Sequence, residues 1–135
     1  VYSRTSLPVI ADDSGLEVIA LGGAPGVFSA RYAGPGADSA ANLNKLLSAM
    51  SGVSDRRARF VCVIALIMND KEYLFEGTCE GYLTHSEAGT GGFGYDPVFI
   101  PDGYDHTFSQ LDATIKNAIS HRGKAVRQLI EFLNR

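Results

Sequence analysis

The sequence contains no tryptophan, only two cysteines and no apolar run long enough to cross a membrane. Cys62 and Cys79 have neither the spacing of metal ligands nor the density of a secreted disulfide scaffold, so we expect two reduced thiols. A transmembrane helix needs ~20 consecutive apolar residues, and the first residues do not combine a basic segment with a signal-peptide core. These absences predict a soluble cytoplasmic protein that does not associate with membranes.

An excess of positive charge is also missing. Lys and Arg number 12 against 15 Asp and Glu, which gives a net charge of −3. Proteins that bind nucleic acids use excess cationic side chains to neutralise phosphates, so we do not expect direct nucleic-acid binding. The length and the 45% apolar content suit one globular domain with a sizeable core, which we assign to residues 1–135.

Short runs of apolar and β-branched residues predict four strands. The runs cover residues 7–11, 59–68, 71–83 and 98–100. Asn69 and Asp70 separate the second run from the third, and such a pair is typical of a hairpin turn. The first run is followed by Asp-Asp-Ser-Gly, which predicts that the first strand stops at a turn. Residues 16–21 then form either a further piece of strand or a short turn of helix.

Two helices are predicted from apolar residues that recur at helical spacing. The first begins at Asp38 or Ser39, either of which can cap it, and runs to about Met50. The last helix follows Ser120, which is also a capping residue. Helices and strands therefore both contribute to the predicted fold.

The most informative segment is glycine-rich and lies between residues 87 and 101. Four glycines surround Phe93 and Tyr95, and Asp96 follows them. Glycine lacks a Cβ, so its amides can approach a phosphate or a ring closely, and the two aromatic residues could supply a stacking surface. A tight hairpin loop is the alternative, and this segment alone does not decide between the two.

Two acidic residues follow the first predicted strand. Asp12 and Asp13 stand where α/β enzymes commonly place metal-binding carboxylates, and Ser14 adds a hydroxyl. Because successive side chains diverge, one acid would face the site while the other caps a turn or helix. The alternative is that Asp-Asp-Ser-Gly is only a turn.

Three residues that can carry positive charge lie around the start of the last helix. They are Lys116, His121 and Arg122. The helix dipole disfavours cations at this end, so their presence suggests that an anion or a hydrogen-bond acceptor binds there. A capped helix start with solvated charges is the alternative. Taken together, the acids, cations, glycine amides and aromatic rings describe a site for a polyphosphate ester.

Four motifs give the sequence a family resemblance. They are Ala-Asp-Asp-Ser-Gly-Leu at residues 11–16, Leu-Gly-Gly-Ala-Pro-Gly-Val-Phe-Ser-Ala-Arg-Tyr-Ala-Gly at 21–34, Gly-Thr-Gly-Gly-Phe-Gly-Tyr-Asp-Pro at 89–97 and Ile-Ser-His-Arg-Gly-Lys-Ala at 119–125. In this order and spacing the chain resembles the inosine/xanthosine triphosphate pyrophosphatases from about residue 7 onward. The resemblance implies an α/β fold with a mixed, elongated sheet, flanking helices and two lobes around a cleft, assembled as a homodimer.

The resemblance also implies an activity and a set of site residues. The implied reaction is Mg²⁺-dependent hydrolysis of ITP, dITP and XTP to the monophosphate and pyrophosphate, which removes deaminated purines from the nucleotide pool. Asp13 would hold Mg²⁺ and help to orient or deprotonate the attacking water, with Asp12 as a further candidate metal ligand. The residues implied to bind the purine nucleotide are Ser14, Phe93, Gly94, Tyr95, Asp96, Lys116, His121 and Arg122, of which Phe93 would stack on the base.

The sequence departs from the family pattern in two places. The family's N-terminal strand, its Thr-Gly-Asn-x-x-Lys loop for the triphosphate and a metal-binding Glu are not found upstream of residue 11, so we expect the N-terminal part of the family domain to be absent. Thr114 and Ile115 stand where acids are common. A nucleotide-binding sensor or an inactive fragment or pseudoenzyme of this family is therefore an alternative, and a related pyrophosphatase with pyrimidine or methylated-base preference is a third possibility.

Overall fold

The structure, a computed structural model, describes residues 9–26, 29, 32–36, 38–89 and 94–134. Within these residues it contains four strands and three α-helices. In chain order they are β1 (Val9–Val18), α1 (Ser39–Ala49), β2 (Arg57–Met68), β3 (Lys71–Leu83), β4 (Phe99–Pro101), α2 (Ala113–Ile119) and α3 (His121–Leu133). The predicted α/β class with flanking helices is confirmed. No helix in the described ranges has the length and apolar character that a membrane crossing requires.

The strands form one sheet in the order β1-β2-β3-β4, and neighbouring strands are antiparallel in every described pairing. Strand β2 lies at the centre and pairs along its whole length with β3. Asn69 and Asp70 join these two strands with φ angles of 53° and 63°. A two-residue hairpin turn of the type that matches strand twist requires such positive φ values, so the predicted hairpin is confirmed.

The prediction that the first strand ends at Asp-Asp-Ser-Gly is wrong. Strand β1 continues to Val18, and Asp12, Asp13, Ser14 and Gly15 all have partners in β2. The turn propensity of these residues depends only on their neighbours in the sequence. The hydrogen bonds to β2 and the burial of the apolar side chains that follow the acids depend on distant residues. Tertiary pairing therefore overrides the turn signal, and the four residues alternate between the two faces of the sheet.

One face of β2 carries the core. Its even-numbered positions from 58 to 66 are buried, while the odd-numbered positions are half-exposed. The core consists of two clusters on this face. One joins α1, the ends of β1 and β2, and the region around β4, and the other joins α3 to Cys62, Ile64 and Leu66. The first cluster lies towards the start of β2, at Ala58 and Phe60, and the second lies towards its end.

Both cysteines are free and buried, as their spacing predicted. Cys79 packs in the first cluster, and burial raises the pKa of its thiol to about 11. The thiol therefore stays protonated at neutral pH and acts as a small apolar side chain.

The predicted helix starts are confirmed, but one helix was not predicted. Asp38 caps α1 by accepting from the amide of Ala41 at 2.8 Å, and Ser120 caps α3 by accepting from the amide of Gly123 at 3.0 Å. The unpredicted helix is α2, which Asp112 caps. Ser120 has extended backbone angles and so separates α2 from α3 at a single residue.

Helix α3 packs against β3 at residues 76–78. Lys124 Nζ donates to the carbonyl of Thr78 at 2.8 Å, and Gln128 Nε2 donates to that of Glu76 at 2.7 Å. These side chains cover strand carbonyls that would otherwise form an open sheet edge. The contact is close because Gly77 has no side chain, and a Cβ there would lie 2.1 Å from the carbonyl oxygen of His121.

We therefore expect Gly77→Ala to destabilise the fold by about 3 kcal/mol, because the new methyl group must push the backbone of α3 away. Thr78→Ala is the matched control, since residue 78 points to the other face of the sheet, and it should cost under about 1 kcal/mol. The measurement is urea unfolding followed by circular dichroism. Equal midpoints for the two variants would contradict the close packing of α3 on Gly77.

Candidate active site

A cleft with a volume of about 600 Å³ lies beside the central strand β2. Residues of β1, α1, β2, the segment before β4 and the α2–α3 junction line it. They are Ser14, Gly15, Leu16, Ser29, Asp38, Ser39, Asn42, Phe60, Gly94, Tyr95, Asp96, Lys116, Asn117, Ser120, His121 and Arg122. The volume falls within the usual range for small-molecule sites, and apolar walls with a few convergent polar groups are typical of them.

Seven of the residues predicted to bind the substrate line this one cavity. They are Ser14, Gly94, Tyr95, Asp96, Lys116, His121 and Arg122. They are distant in the sequence, and the fold brings them together because β1, the segment before β4 and the start of α3 all border the cleft. Phe93 lies outside the described residues, so its predicted stacking role stays a prediction.

The two acids of β1 have different surroundings. Asp12 Oδ2 lies 3.0 Å from Arg122 Nη1, and Ser14 Oγ accepts from Arg122 Nη2 at 3.4 Å. Asp13 points to the opposite face of the sheet, where with Glu17 and Glu76 it lines a smaller cavity of about 190 Å³. The expected divergence of the two side chains is therefore found, and it is Asp12 that contacts a residue of the larger cavity. The expectation that the other acid caps a turn or helix is wrong, because both acids lie inside β1.

A buried ion pair lies in the wall of the cavity. Lys116 Nζ is 2.5 Å from Asp96 Oδ2, and the two side chains are 22% and 9% exposed. Lys116 also lies above the Phe108 ring, with its Nζ 5.8 Å from the ring centroid. The ion pair with Asp96 holds the ammonium group of Lys116 in one position, and this also fixes the direction of its other N–H donors.

His121 packs as a neutral ring. It stacks on Phe60, with the ring centroids 4.8 Å apart and the planes 14° from parallel. Burial, together with the nearby charges of Arg122 and Lys116, lowers the pKa of His121 to about 4. The expected cluster of three cations therefore contains two charges at neutral pH, and His121 contributes one donor and one acceptor instead. Its Nδ1 is buried and has no hydrogen-bond partner among the described residues.

Several residues of the cavity were not predicted from the sequence. Ser29 and Phe60 are the most important of these, since Ser29 joins three segments by hydrogen bonds and Phe60 supports His121. Phe60 appears in the sequence only as one apolar residue of a strand. Ser29 lies in a motif of the family resemblance, which was the single available signal for it.

The fold and the cavity define an α/β domain with a cleft that has apolar walls, a few convergent polar groups and a volume large enough for a nucleotide. The chain belongs to the Ham1 family, whose sequence profile matches residues 1–132. The relationship suggested by the four motifs is therefore confirmed.

Individual relatives agree with this assignment. A dITP/XTP pyrophosphatase of Flavobacterium johnsoniae is 52% identical over 133 residues, which are 98% of this chain and 69% of that protein. A dITP/XTP pyrophosphatase of Methylacidiphilum infernorum is 51% identical, with 92% of this chain and 63% of the relative covered. This chain thus spans about two thirds of the length of the curated relatives it matches.

Solved structures show the same fold. The Ham1 protein of Staphylococcus aureus matches with a TM-score of 0.93 at 46% identity, covering 98% of this chain and 69% of that one. A nucleoside-triphosphatase / dITP/XTP pyrophosphatase of Mycobacterium abscessus matches with a TM-score of 0.82 at 42% identity and the same coverage.

The lowered pKa of His121 makes the stability depend on pH. An unfolded chain binds a proton at this residue near pH 6.5, whereas the folded chain binds it only near pH 4. The contribution of His121 to the free energy of unfolding keeps its full value above pH 6.5. It falls by an amount of the order of 3 kcal/mol as the pH falls from there towards 4, because only the unfolded chain then binds the proton. Urea unfolding of the wild type and His121→Gln between pH 7 and pH 4 measures it. The variant should lose less stability over this range, and equal losses would contradict the assignment.

Proposed function

We propose that this chain carries the nucleotide site of a pyrophosphatase that hydrolyses ITP, dITP and XTP to the monophosphate and pyrophosphate, and so removes deaminated purines from the nucleotide pool. The observation that carries the proposal is the convergence of the motif residues on one nucleotide-sized cavity. Relatives named dITP/XTP pyrophosphatase that are about half identical to this chain support it.

The cavity suits a 6-oxo purine. Lys116 and Arg122 present donors, and neutral His121 offers one more, so the oxygen at position 6 meets hydrogen-bond donors. The 6-amino group of adenine would leave the same donors unpaired in a partly buried site, which lowers affinity. Guanine also carries a 6-oxo group, so its rejection depends on how the 2-amino group is received.

Magnesium is part of the proposal, with Asp13 as its ligand. Carboxylate oxygens are the ligands that Mg²⁺ prefers, and Asp13 is exposed at the smaller cavity. The described part of the chain holds no group of three or more His, Cys, Asp or Glu able to bind a metal ion. Asp13 would therefore share the ion with phosphate oxygens and water, as is usual for Mg²⁺ with nucleotides. When bound, the ion supplies charge neutralisation at the phosphoryl group.

A binding function without turnover is the second candidate. It is favoured by the position of Asp13 on the sheet face opposite the larger cavity.

We also propose that the protein works in the cytoplasm as a homodimer without binding nucleic acid. Analytical ultracentrifugation at micromolar concentration would reveal a dimer, and a single monomer peak would contradict that part.

The test is pyrophosphate release with Mg²⁺ from the triphosphates of inosine, xanthosine, guanosine, adenosine and deoxyuridine, with binding measured in parallel by calorimetry. We expect turnover to be concentrated on ITP and XTP. Tight binding of ITP without turnover would establish the binding function instead. A preference for the deoxyuridine substrate would overturn the purine assignment.

The two acids of β1 should have separable roles. Asp13→Asn should lower kcat by a factor of about 100 or more, because a metal-binding carboxylate is lost. Asp12→Asn should raise KM about two- to fivefold, because the exposed Arg122 then loses its ion-pair partner. Rates measured across a Mg²⁺ titration separate the two effects. If Asp12→Asn shifted the Mg²⁺ requirement, Asp12 would be a metal ligand, which is the role that the family resemblance allows it.

A further inference from the structure

The hydroxyl of Tyr95 makes a hydrogen bond within the protein. It donates to the carbonyl oxygen of Ser29 at 2.6 Å, and the two residues are 6% and 7% exposed. Burial raises the pKa of Tyr95 to about 12, so the hydroxyl keeps its proton. A phenol has one donor hydrogen, and here it is directed to the protein.

Ser29 itself joins two further segments. Its Oγ accepts from the amide of Leu16 in β1 at 2.9 Å and donates to the carbonyl of Gly26 at 2.7 Å. The glycine-rich loop around Gly26 lies directly on β1, because a Cβ on Gly15 would be 2.4 Å from the Gly26 carbonyl oxygen. Ser29 is therefore fastened to β1 on one side and to Tyr95 on the other.

Both residues line the large cavity, and the segment that contains Tyr95 also supplies Gly94 and Asp96 to its wall. Two hydrogen bonds connect this wall to β1 through Ser29. One joins Ser29 to Tyr95 and the other joins it to Leu16. Such buried bonds, once lost, leave the partner carbonyl and amide unsatisfied, so the wall would shift to recover them.

We propose that Tyr95 is a positioning residue, which fixes the width of the nucleotide cavity through Ser29 and thereby sets its selectivity for the base. The proposal rests on the proposed function and deepens it. It assigns to the Tyr95 hydroxyl a role different from direct contact with the substrate. Asp13 lies in the β1–β2 ladder and is held independently of this bond, so the chemical step should be little affected.

The first variant is Tyr95→Phe, which removes only the hydroxyl, and Tyr82→Phe on β3, 38% exposed, is the matched control. We expect KM for ITP, or its dissociation constant where turnover is absent, to rise about tenfold in Tyr95→Phe. The ratio of kcat/KM for ITP over ATP should fall, while kcat changes less than threefold. The control should match the wild type in every quantity.

The second measurement is amide hydrogen exchange without ligand. In Tyr95→Phe, exchange at Leu16 and in residues 22–26 should become faster, while the β2–β3 hairpin keeps the wild-type rates. Unchanged exchange at Leu16 would overturn the proposal whatever the kinetics. Faster exchange with unchanged affinity and selectivity would show a purely structural bond and would also overturn it.

Ser29→Ala gives an independent check, since it removes Oγ but keeps the carbonyl that Tyr95 needs. The double variant should show a smaller loss of affinity than the product of the two single losses, because both bonds act on the same residue. If the loss of affinity in the double variant equalled the product of the two single losses, the two bonds would act independently, which would contradict the proposal. If the wild type bound no nucleoside triphosphate at all, the proposed function would fail, and the selectivity role of Tyr95 would fail with it.

Discussion

The stacking of Phe60 on His121 is the contact on which the site depends. Phe60 lies on the central strand, and its ring also packs against Phe99, with the two centroids 4.6 Å apart, and against Phe108 at 5.8 Å. One aromatic side chain thus joins the first residue of α3 to the first core cluster. Burial of the imidazole, together with the nearby positive charges of Arg122 and Lys116, lowers the pKa of His121 and keeps the ring neutral.

The two-residue period of the strands divides the chemistry of β1 between two faces. Asp12 and Ser14 share one face with Leu16 and contact Arg122, whereas Asp13 has the opposite face. Adjacent acids in a strand cannot serve one site equally, because their side chains diverge. A motif with two successive acids is therefore suited to two different tasks, one directed to the cation of α3 and the other to a separate ligand.

Local signals predicted much of the fold, whereas contacts between distant residues decided what was missed. The Asn69-Asp70 turn and the Asp38 and Ser120 caps act within a few residues, and each was predicted correctly. The Asp-Asp-Ser-Gly segment has the same turn chemistry but pairs with β2, some 50 residues away, and forms a strand. The importance of Ser29 depends on a bond to Tyr95 that spans 66 positions. No local pattern contains such information.

The charges of the large cavity nearly cancel, and this limits what the cavity can recognise. Lys116 is paired with Asp96, Arg122 with Asp12, and His121 is neutral. An uncharged base with donors and acceptors can bind there without bringing a net charge into a partly buried site. A triphosphate, with several negative charges, needs neutralisation from elsewhere, because paired cations offer it little attraction. The electrostatics therefore favour an uncharged base over a polyphosphate in this cavity, which agrees with the proposal that Mg²⁺ on Asp13 neutralises the phosphates.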